Sequence, residues 1–277
     1  MDRPITRTMP NDQLQTELDR YYSYGTDTFV RYTHRLRINE IQKLIIEIAN
    51  CRVRGERSRG LDAGCSYGVY SIMLAEAGYD VIGIDIDRKE IDWARRWARE
   101  RELENKITFQ LGDLHKLSFR DGTFDLVVCS EVLEHLDDSQ LGASELFRIL
   151  RPNGMAIISM PNIACLFGMM QWAYRKTGLR SLLGKPPLNL HQIQHSRYWF
   201  GNIIQLLKAS GFAIEKTCST SHVPYLWTID EFLGTVTRMP AIASKVDTTI
   251  ARLPVVKYLG FNFIITARKP TKNVTQR

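Results

Sequence analysis

Cysteine is sparse in this sequence and follows no pattern. Five cysteines occur in 277 residues, and none forms a CxxC pair or another spacing typical of a zinc site. An odd, unpatterned set also argues against a disulfide framework. We therefore expect free thiols in a reducing compartment, which indicates a cytoplasmic protein; the five are Cys51, Cys65, Cys129, Cys165 and Cys218.

Long hydrophobic runs are almost missing as well. The sequence opens without an apolar stretch, so no secretory signal is predicted. Residues 154–174 carry no charge and have the length of a membrane span, but Pro161 and Asn162 interrupt them. The part before this break is better explained as a short strand, so the sequence predicts no membrane-spanning helix.

Acidic residues are scarce in the second half of the chain. Residues 161–277 hold 15 lysines and arginines against 4 acids, whereas residues 1–160 hold 22 against 26, so the halves carry net charges of +11 and −4. This asymmetry indicates an anionic partner for the second half, namely an acidic substrate, a membrane surface or a nucleic acid. A solvated basic face explains the same pattern and stays open.

Short apolar runs alternate with amphipathic helical patterns from residue 38 onward. This rhythm predicts an α/β fold with a parallel sheet and helices on both faces. Predicted strands end near Asp62 and cover Val81–Asp85, Ile107–Gln110, Phe124–Cys129, Met155–Met160, Phe212–Thr217 and Phe261–Ala267. We divide the chain into an N-terminal arm and lid (1–37), a cofactor-binding core (38–160), a lid or substrate insertion (161–196) and a C-terminal part that completes the sheet around a helical insertion (197–277).

A glycine-rich turn joins the first predicted strand to a helix. Its residues are Asp62-Ala63-Gly64-Cys65-Ser66-Tyr67-Gly68, and such a turn lets a ligand approach the backbone closely. Carboxylates also occur at the ends of the predicted strands, where open α/β sheets bind ligands: Asp62, Asp85, Asp113 and Glu131. The electrostatic interaction energy between a carboxylate and a unit charge about 5 Å away is roughly 3 kcal/mol at an effective dielectric near 20, attractive for a cation and repulsive for an anion. This contribution favours a cationic nucleoside over a doubly anionic dinucleotide.

Two of these acids have a spacing that suggests a role. Asp85 lies 21 positions after Gly64, the interval at which an acid on the second strand accepts hydrogen bonds from ribose hydroxyls. Asp113 is suited to accept a hydrogen bond from the adenine amine, with Leu114 against the ring. Helix capping or a turn explains any single acid equally well.

The sequence resembles the class I S-adenosylmethionine-dependent methyltransferases, especially the methyltransferase type 11-like branch with small-molecule and quinone-precursor enzymes. The glycine-rich turn, Gly83-Ile84-Asp85, Gly112-Asp113-Leu114 and residues 124–136 carry the resemblance. It implies a Rossmann-like, doubly wound seven-stranded sheet with an antiparallel last strand and a helical lid. S-adenosyl-L-methionine is the implied cofactor, and the implied cofactor-binding residues are Asp62, Gly64, Ser66, Gly68, Asp85, Ile86, Asp113, Leu114, Ser130 and Glu131. Ser66 departs from the family, which has glycine there.

The implied activity is methyl transfer to a small, lipophilic or anionic acceptor. Three histidines are candidates for a base or an acceptor contact: His135, His191 and His195. If residues 131–135 are helical, Glu131 and His135 share a face, and a divalent-metal cluster with Glu134 is an alternative, although no metal is predicted. Residues 162–185 mix apolar and basic side chains, which suggests peripheral contact with the inner face of a membrane.

Three other functions remain as alternatives. The basic second half suggests RNA methylation, although no separate RNA-binding module is present in the sequence. A protein that binds S-adenosylmethionine without catalysis is the second. An NAD-dependent dehydrogenase is the third, and both Asp62 and the missing glycine at Ser66 argue against it.

Overall fold

The predicted alternation of strands and helices is present in the computed structural model, which describes residues 28–52, 57–162, 200–220 and 260–271. The helices are α1 (Thr28–Asn50), α2 (Val69–Glu76), α3 (Arg88–Glu100), α4 (Ser139–Ile149) and α5 (Phe200–Ala209). The strands are β1 (Arg59–Ala63), β2 (Asp80–Asp85), β3 (Ile107–Leu111), β4 (Phe124–Ser130), β5 (Leu150–Pro161), β6 (Ala213–Thr220) and β7 (Asn262–Arg268).

The seven strands form one sheet in the order β3-β2-β1-β4-β5-β7-β6. The first five strands in this order run parallel to one another, and β7 runs antiparallel to both β5 and β6. This topology confirms the prediction of a Rossmann-like α/β sheet with an antiparallel last strand. The strand order reverses beside β1, so the carboxyl ends of β1, β2 and β4 meet at a topological switch point.

Apolar side chains leave the sheet on both faces and form two cores. One core packs α1, α2 and α3 against the sheet, with Ile41, Ile72 and Trp97 each at most 1% exposed. The other packs α4 and α5 against the opposite face, with Leu146 and Ile203 completely buried. Burial on both faces explains why the central strands read as apolar runs rather than alternating patterns.

Helix α1 begins earlier than its apolar stripe indicated. The expected stripe starts at Ile38, whereas the helix starts at Thr28, so the predicted boundary between residues 37 and 38 falls inside it. Thr33 and Arg37 in this first part are 2% and 5% exposed. Polar side chains turned inward leave no hydrophobic periodicity, and the sequence pattern therefore missed them.

Of the predicted lid or substrate insertion at 161–196, residues 163–196 lie outside the described residues, as does the helical insertion after β6, and both stay predictions. Cys51, Cys65, Cys129 and Cys218 are free thiols, as expected. None of the helices in the described ranges has the length and apolar character needed to cross a bilayer.

Candidate functional site

A cavity of about 670 Å³ opens at the carboxyl edge of the sheet, between α1 and the ends of the central strands. Nine of the predicted site residues line it: Gly64, Ser66, Asp85, Ile86, Asp113, Leu114, Ser130, Glu131 and His135. Asp62 and Gly68 are not part of its lining. His191 and His195 lie outside the described residues.

The glycine-rich turn has a backbone conformation that requires glycine at position 64. Gly64 has φ = 77°, and a Cβ atom added there would lie 2.3 Å from Cγ2 of Val132. The amides of Gly64 and Cys65 both donate to the carbonyl oxygen of Ile84, at 2.9 and 2.8 Å. These bonds hold the turn against the end of β2 and leave its outer surface facing the cavity.

Gly68 serves packing rather than the cavity surface. It precedes α2 with φ = 85°, and an added Cβ atom would lie 3.0 Å from the ring of Phe109. Because Gly68 does not line the cavity, its position does not support the predicted contact with the cofactor.

Ser66 occupies the position at which the resembled family has glycine. Its φ of 45° lies in the left-handed region, which is uncommon for a residue with a side chain. Its amide donates to Oδ2 of Asp85 at 2.8 Å, and its hydroxyl donates to Oε2 of Glu90 at 2.9 Å. The turn therefore keeps the conformation typical of glycine even though a side chain is present.

Asp85 ends β2 and is held by two backbone amides. Oδ2 accepts from Ser66, and Oδ1 accepts from the amide of Asp87 at 2.9 Å. Each carboxylate oxygen has a second lone pair for a ligand hydroxyl. Ile86 follows directly, lines the cavity and is 75% exposed, which places a large apolar side chain beside a fixed carboxylate.

Asp113 and Leu114 lie in the loop after β3. Oδ1 of Asp113 accepts from the amide of His115 at 2.9 Å and is 2.8 Å from Nδ1 of the same residue. These two hydrogen bonds hold the pKa of Asp113 below its ordinary value, so it is an ionised hydrogen-bond acceptor at neutral pH. Leu114 is 4% exposed and provides an apolar wall beside it.

Asp62 differs from the other predicted acids. It is 1% exposed, and Ser71 donates a hydrogen bond of 2.7 Å to its Oδ2. Burial raises its pKa to about 7, and the nearby Asp85 carboxylate adds to the effect. The prediction that all four strand-end carboxylates face the ligand is therefore corrected, because three of them line the cavity and Asp62 lies buried behind it.

An ion pair that the sequence did not indicate crosses the cavity wall. Arg37 of α1 is 5% exposed, and its Nη1 is 3.1 Å from Oε2 of Glu131, which follows β4. The hydroxyl of Ser159 donates to Oε1 of Glu131 at 3.3 Å and lies 2.7 Å from that of Ser130. Ser130 in turn contacts the hydroxyl of Tyr70 at 3.2 Å, which completes a polar network between α1, α2 and β4.

His34 of α1 lines the cavity beside this pair. Burial and the positive charge of Arg37 lower the pKa of His34 to about 3, so its imidazole is neutral. Nδ1 lies 3.2 Å from Nη2 of Arg37 and must accept, because a guanidinium has no acceptor. The ring proton is therefore on Nε2, and His34 is a hydrogen-bond donor rather than a base in this state.

Residues 131–135 do not form the helix that would place Glu131 and His135 on one face. Glu131 has φ = 57°, and only Leu133–His135 form a short 3-10 helix. Both side chains nevertheless line the cavity, because the chain turns sharply after β4. His135 is about half exposed, which leaves it accessible as a base or an acceptor contact.

Glu134 is directed into the protein. Its side chain is 2% exposed, and burial, with the neighbouring Glu131 carboxylate, raises its pKa well above the ordinary value. Burial therefore favours the neutral form of the Glu134 carboxyl over its ionised form. Within the described ranges, no group of three His, Cys, Asp or Glu side chains is placed to hold a metal ion.

Comparison with known proteins places residues 61–158 in a family described as Methyltransferase domain. The chain is 31% identical over 169 residues to a ubiquinone biosynthesis O-methyltransferase from Rickettsia conorii, a match that covers 60% of this chain and 53% of the relative. The chain therefore spans about half the length of the curated relatives that it matches.

Two solved structures share the fold at low sequence identity. A putative methyltransferase from Bacillus halodurans has a TM-score of 0.56 at 18% identity, covering 84% of this chain and all of that one. The cyclase SpnF has a TM-score of 0.55 at 20% identity, covering 83% of this chain and 82% of that one. Residues 61–158 are therefore similar in sequence to methyltransferase domains, and the chain shares the fold of these two structures.

Proposed function

We propose that this protein transfers a methyl group from S-adenosylmethionine to a small acceptor bound in the same cavity. The observation that carries the proposal is the end of β2, where the fixed carboxylate of Asp85 lies beside the exposed side chain of Ile86. A carboxylate acceptor beside an apolar surface suits a ribose and its attached base. Asp113 and Leu114 repeat this combination at the end of the next strand.

The charges of the cavity fit a cationic cofactor. Among the residues that the structure describes, its lining contains one guanidinium, that of Arg37, and four carboxylates, those of Asp85, Asp113, Glu131 and Asp137. This excess of negative charge attracts a sulfonium and repels the pyrophosphate of a dinucleotide. Arg37 is the cation in the lining that suits the cofactor's own carboxylate.

The roles of the protein follow from this arrangement. When bound, the cofactor supplies a methyl group on a sulfonium, which is a good leaving group. Asp85, Asp113 and Arg37 bind and orient the cofactor, and α1 lines one side of the cavity with His34 and Arg37. A base is needed only for a protonated acceptor, and His135 is the accessible candidate among the described residues. His191 and His195 remain predictions for the same role.

The basic second half gives limited support to the RNA alternative. Several of the described cations in this half form ion pairs within the protein. Arg268 pairs with Glu215 at 2.6 Å, and Lys216 lies 3.5 Å from Glu47. Lys269 donates to the carbonyl oxygens of Arg148 and Leu150. A small acceptor is therefore favoured over a nucleic acid.

Transfer of a labelled methyl group tests the proposal. The purified protein is incubated with methyl-labelled S-adenosylmethionine and, separately, with metabolite, lipid and RNA pools. We expect label in a small molecule from the metabolite or lipid pool. Label in RNA would establish the alternative substrate, whereas tight binding of the cofactor without transfer to any pool would indicate the non-catalytic function. Tight uptake of NADH without binding of the sulfur nucleoside would refute the proposal.

Peripheral membrane contact through residues 162–185 is a separate part of the proposal. Within it, residues 166–183 contain Leu, Phe, Met and Trp together with three cations, Arg175, Lys176 and Arg180. Co-sedimentation with vesicles of phosphatidylglycerol and phosphatidylcholine, compared with phosphatidylcholine alone, measures this contact. We expect enrichment on the anionic vesicles that is reduced when the three cations are replaced by glutamine; equal recovery on both vesicles would contradict it.

A further inference from the structure

Ser66 makes two hydrogen bonds from a left-handed backbone conformation, which is uncommon for a residue with a side chain. Its amide bonds Asp85 at the cavity, and its hydroxyl bonds Glu90 in the first turn of α3. A residue other than glycine at φ = 45° keeps this conformation only where the surrounding contacts hold it. The bond to Glu90 is a contact of that kind, and it depends on the side chain that distinguishes serine from glycine.

Glu90 is placed to act on this turn and not directly on a ligand. Its side chain is absent from the cavity lining, whereas Ser66 is part of it. Glu90 also accepts a hydrogen bond from Tyr67, the residue that follows Ser66 in the turn. The carboxylate of Glu90 therefore contacts two consecutive residues of the turn from outside the cavity.

The turn and Asp85 are linked through a single amide. The N–H of Ser66 is one of the two donors that orient the Asp85 carboxylate, and the other is the amide of Asp87. If the turn relaxed from its left-handed conformation, this amide would rotate away from Oδ2 of Asp85. The orientation of Asp85 therefore depends on whatever holds Ser66 in place.

We propose that Glu90 is a positioning residue for the cofactor site, which holds Ser66 in its left-handed conformation so that the Ser66 amide orients Asp85. This inference rests on the proposed function, since it takes the ribose to be the group that Asp85 binds. It also explains how serine is accepted where related sequences have glycine. Glycine adopts a positive φ without an anchor, so a chain with glycine at this position would not need Glu90.

A cycle of substitutions tests this dependence by calorimetric titration of S-adenosylhomocysteine. We expect Glu90→Ala to weaken binding about fivefold to twentyfold, the usual size of a coupling between directly bonded residues. Glu90→Gln retains an acceptor for the Ser66 hydroxyl and should bind within about threefold of the unsubstituted protein. In a Ser66→Gly background, adding Glu90→Ala should change the affinity by less than about twofold, because glycine needs no anchor.

Each other outcome has a definite meaning. Unchanged affinity in Glu90→Ala overturns the inference. An equal loss in the Ser66 and Ser66→Gly backgrounds also overturns it, because Glu90 would then act independently of the serine. If Glu90→Gln binds S-adenosylhomocysteine as weakly as Glu90→Ala does, the effect depends on the charge of Glu90 and not on its hydrogen bond. That result overturns the inference as well. Thermal unfolding of every variant separates loss of the fold from loss of affinity. Absence of binding by the unsubstituted protein would instead refute the proposed function, and the inference with it.

Discussion

Replacing Asp62 with asparagine should change how the stability of the protein depends on pH. Asp62 is 1% exposed, and burial raises its pKa from the ordinary 3.8 to about 7. Below about pH 4 the carboxyl is protonated in both the folded and the unfolded chain, so its burial does not lower the free energy of unfolding through ionisation. Between about pH 4 and pH 7 the unfolded chain loses this proton while the folded chain retains it, so stability falls as the pH rises.

The size of the effect follows from the two pKa values. A difference of this size corresponds to roughly 4 kcal/mol of unfolding free energy between about pH 4 and pH 8. The side chain introduced by Asp62→Asn is neutral throughout, and its amide oxygen can still accept the hydrogen bond that Ser71 donates to Asp62. We therefore expect the variant to become more stable than the unsubstituted protein as the pH rises, with the difference levelling off above about pH 7.

Urea unfolding of both proteins at several pH values measures this difference. Taking the difference between the two curves removes the contribution of every other group that titrates identically in both. Parallel curves from about pH 4 to pH 8 would refute the reasoning, because they would mean that buried Asp62 ionises as readily as it does in the unfolded chain. Such a result would also restore Asp62 as a full negative charge behind the cavity.

Three further predictions concern the cavity and its turn. Asp85→Ala should weaken binding of S-adenosylhomocysteine by about tenfold or more in calorimetry while the protein stays folded, since it removes the carboxylate that the amides of Ser66 and Asp87 orient; equal affinity would contradict the ribose assignment. Ile86→Ser should lower the same affinity about threefold to tenfold without destabilising the fold, because Ile86 is 75% exposed; a lower thermal midpoint with unchanged affinity would assign it to packing. Gly64→Ala should destabilise the protein by about 2–4 kcal/mol in urea, because its Cβ would meet Val132 at 2.3 Å. The matched control Gly201→Ala, in α5 with nothing within 4 Å, should be neutral or stabilise by up to about 1 kcal/mol, and similar effects of the two would refute the argument.

Local patterns in the sequence were sufficient for the strands and for several residues of the cavity, whereas the antiparallel last strand was expected from the family resemblance. Strands β2 and β3 follow the predicted ranges closely, because a buried parallel strand is a short apolar run between turn residues. Asp85 and Asp113 end or follow such runs, so their position at the carboxyl edge is a consequence of where the strands stop. The same reasoning placed Asp62 at this edge but could not show that it is buried.

Contacts between distant parts of the chain were decided by the tertiary structure. Arg37 pairs with Glu131, and Ser66 with Glu90, across segments whose sequences contain no sign of the partner. The turn at Glu131 also required its three-dimensional neighbours, since the residues that follow it are equally compatible with a helix. Hydrophobic periodicity records how each segment meets the core, and it therefore predicts elements and their ends. The packing of those elements against one another decides which charged groups form ion pairs and which carboxyl groups are buried away from water. Ion pairing and burial in turn determine the protonation states and the orientations of the side chains in the site.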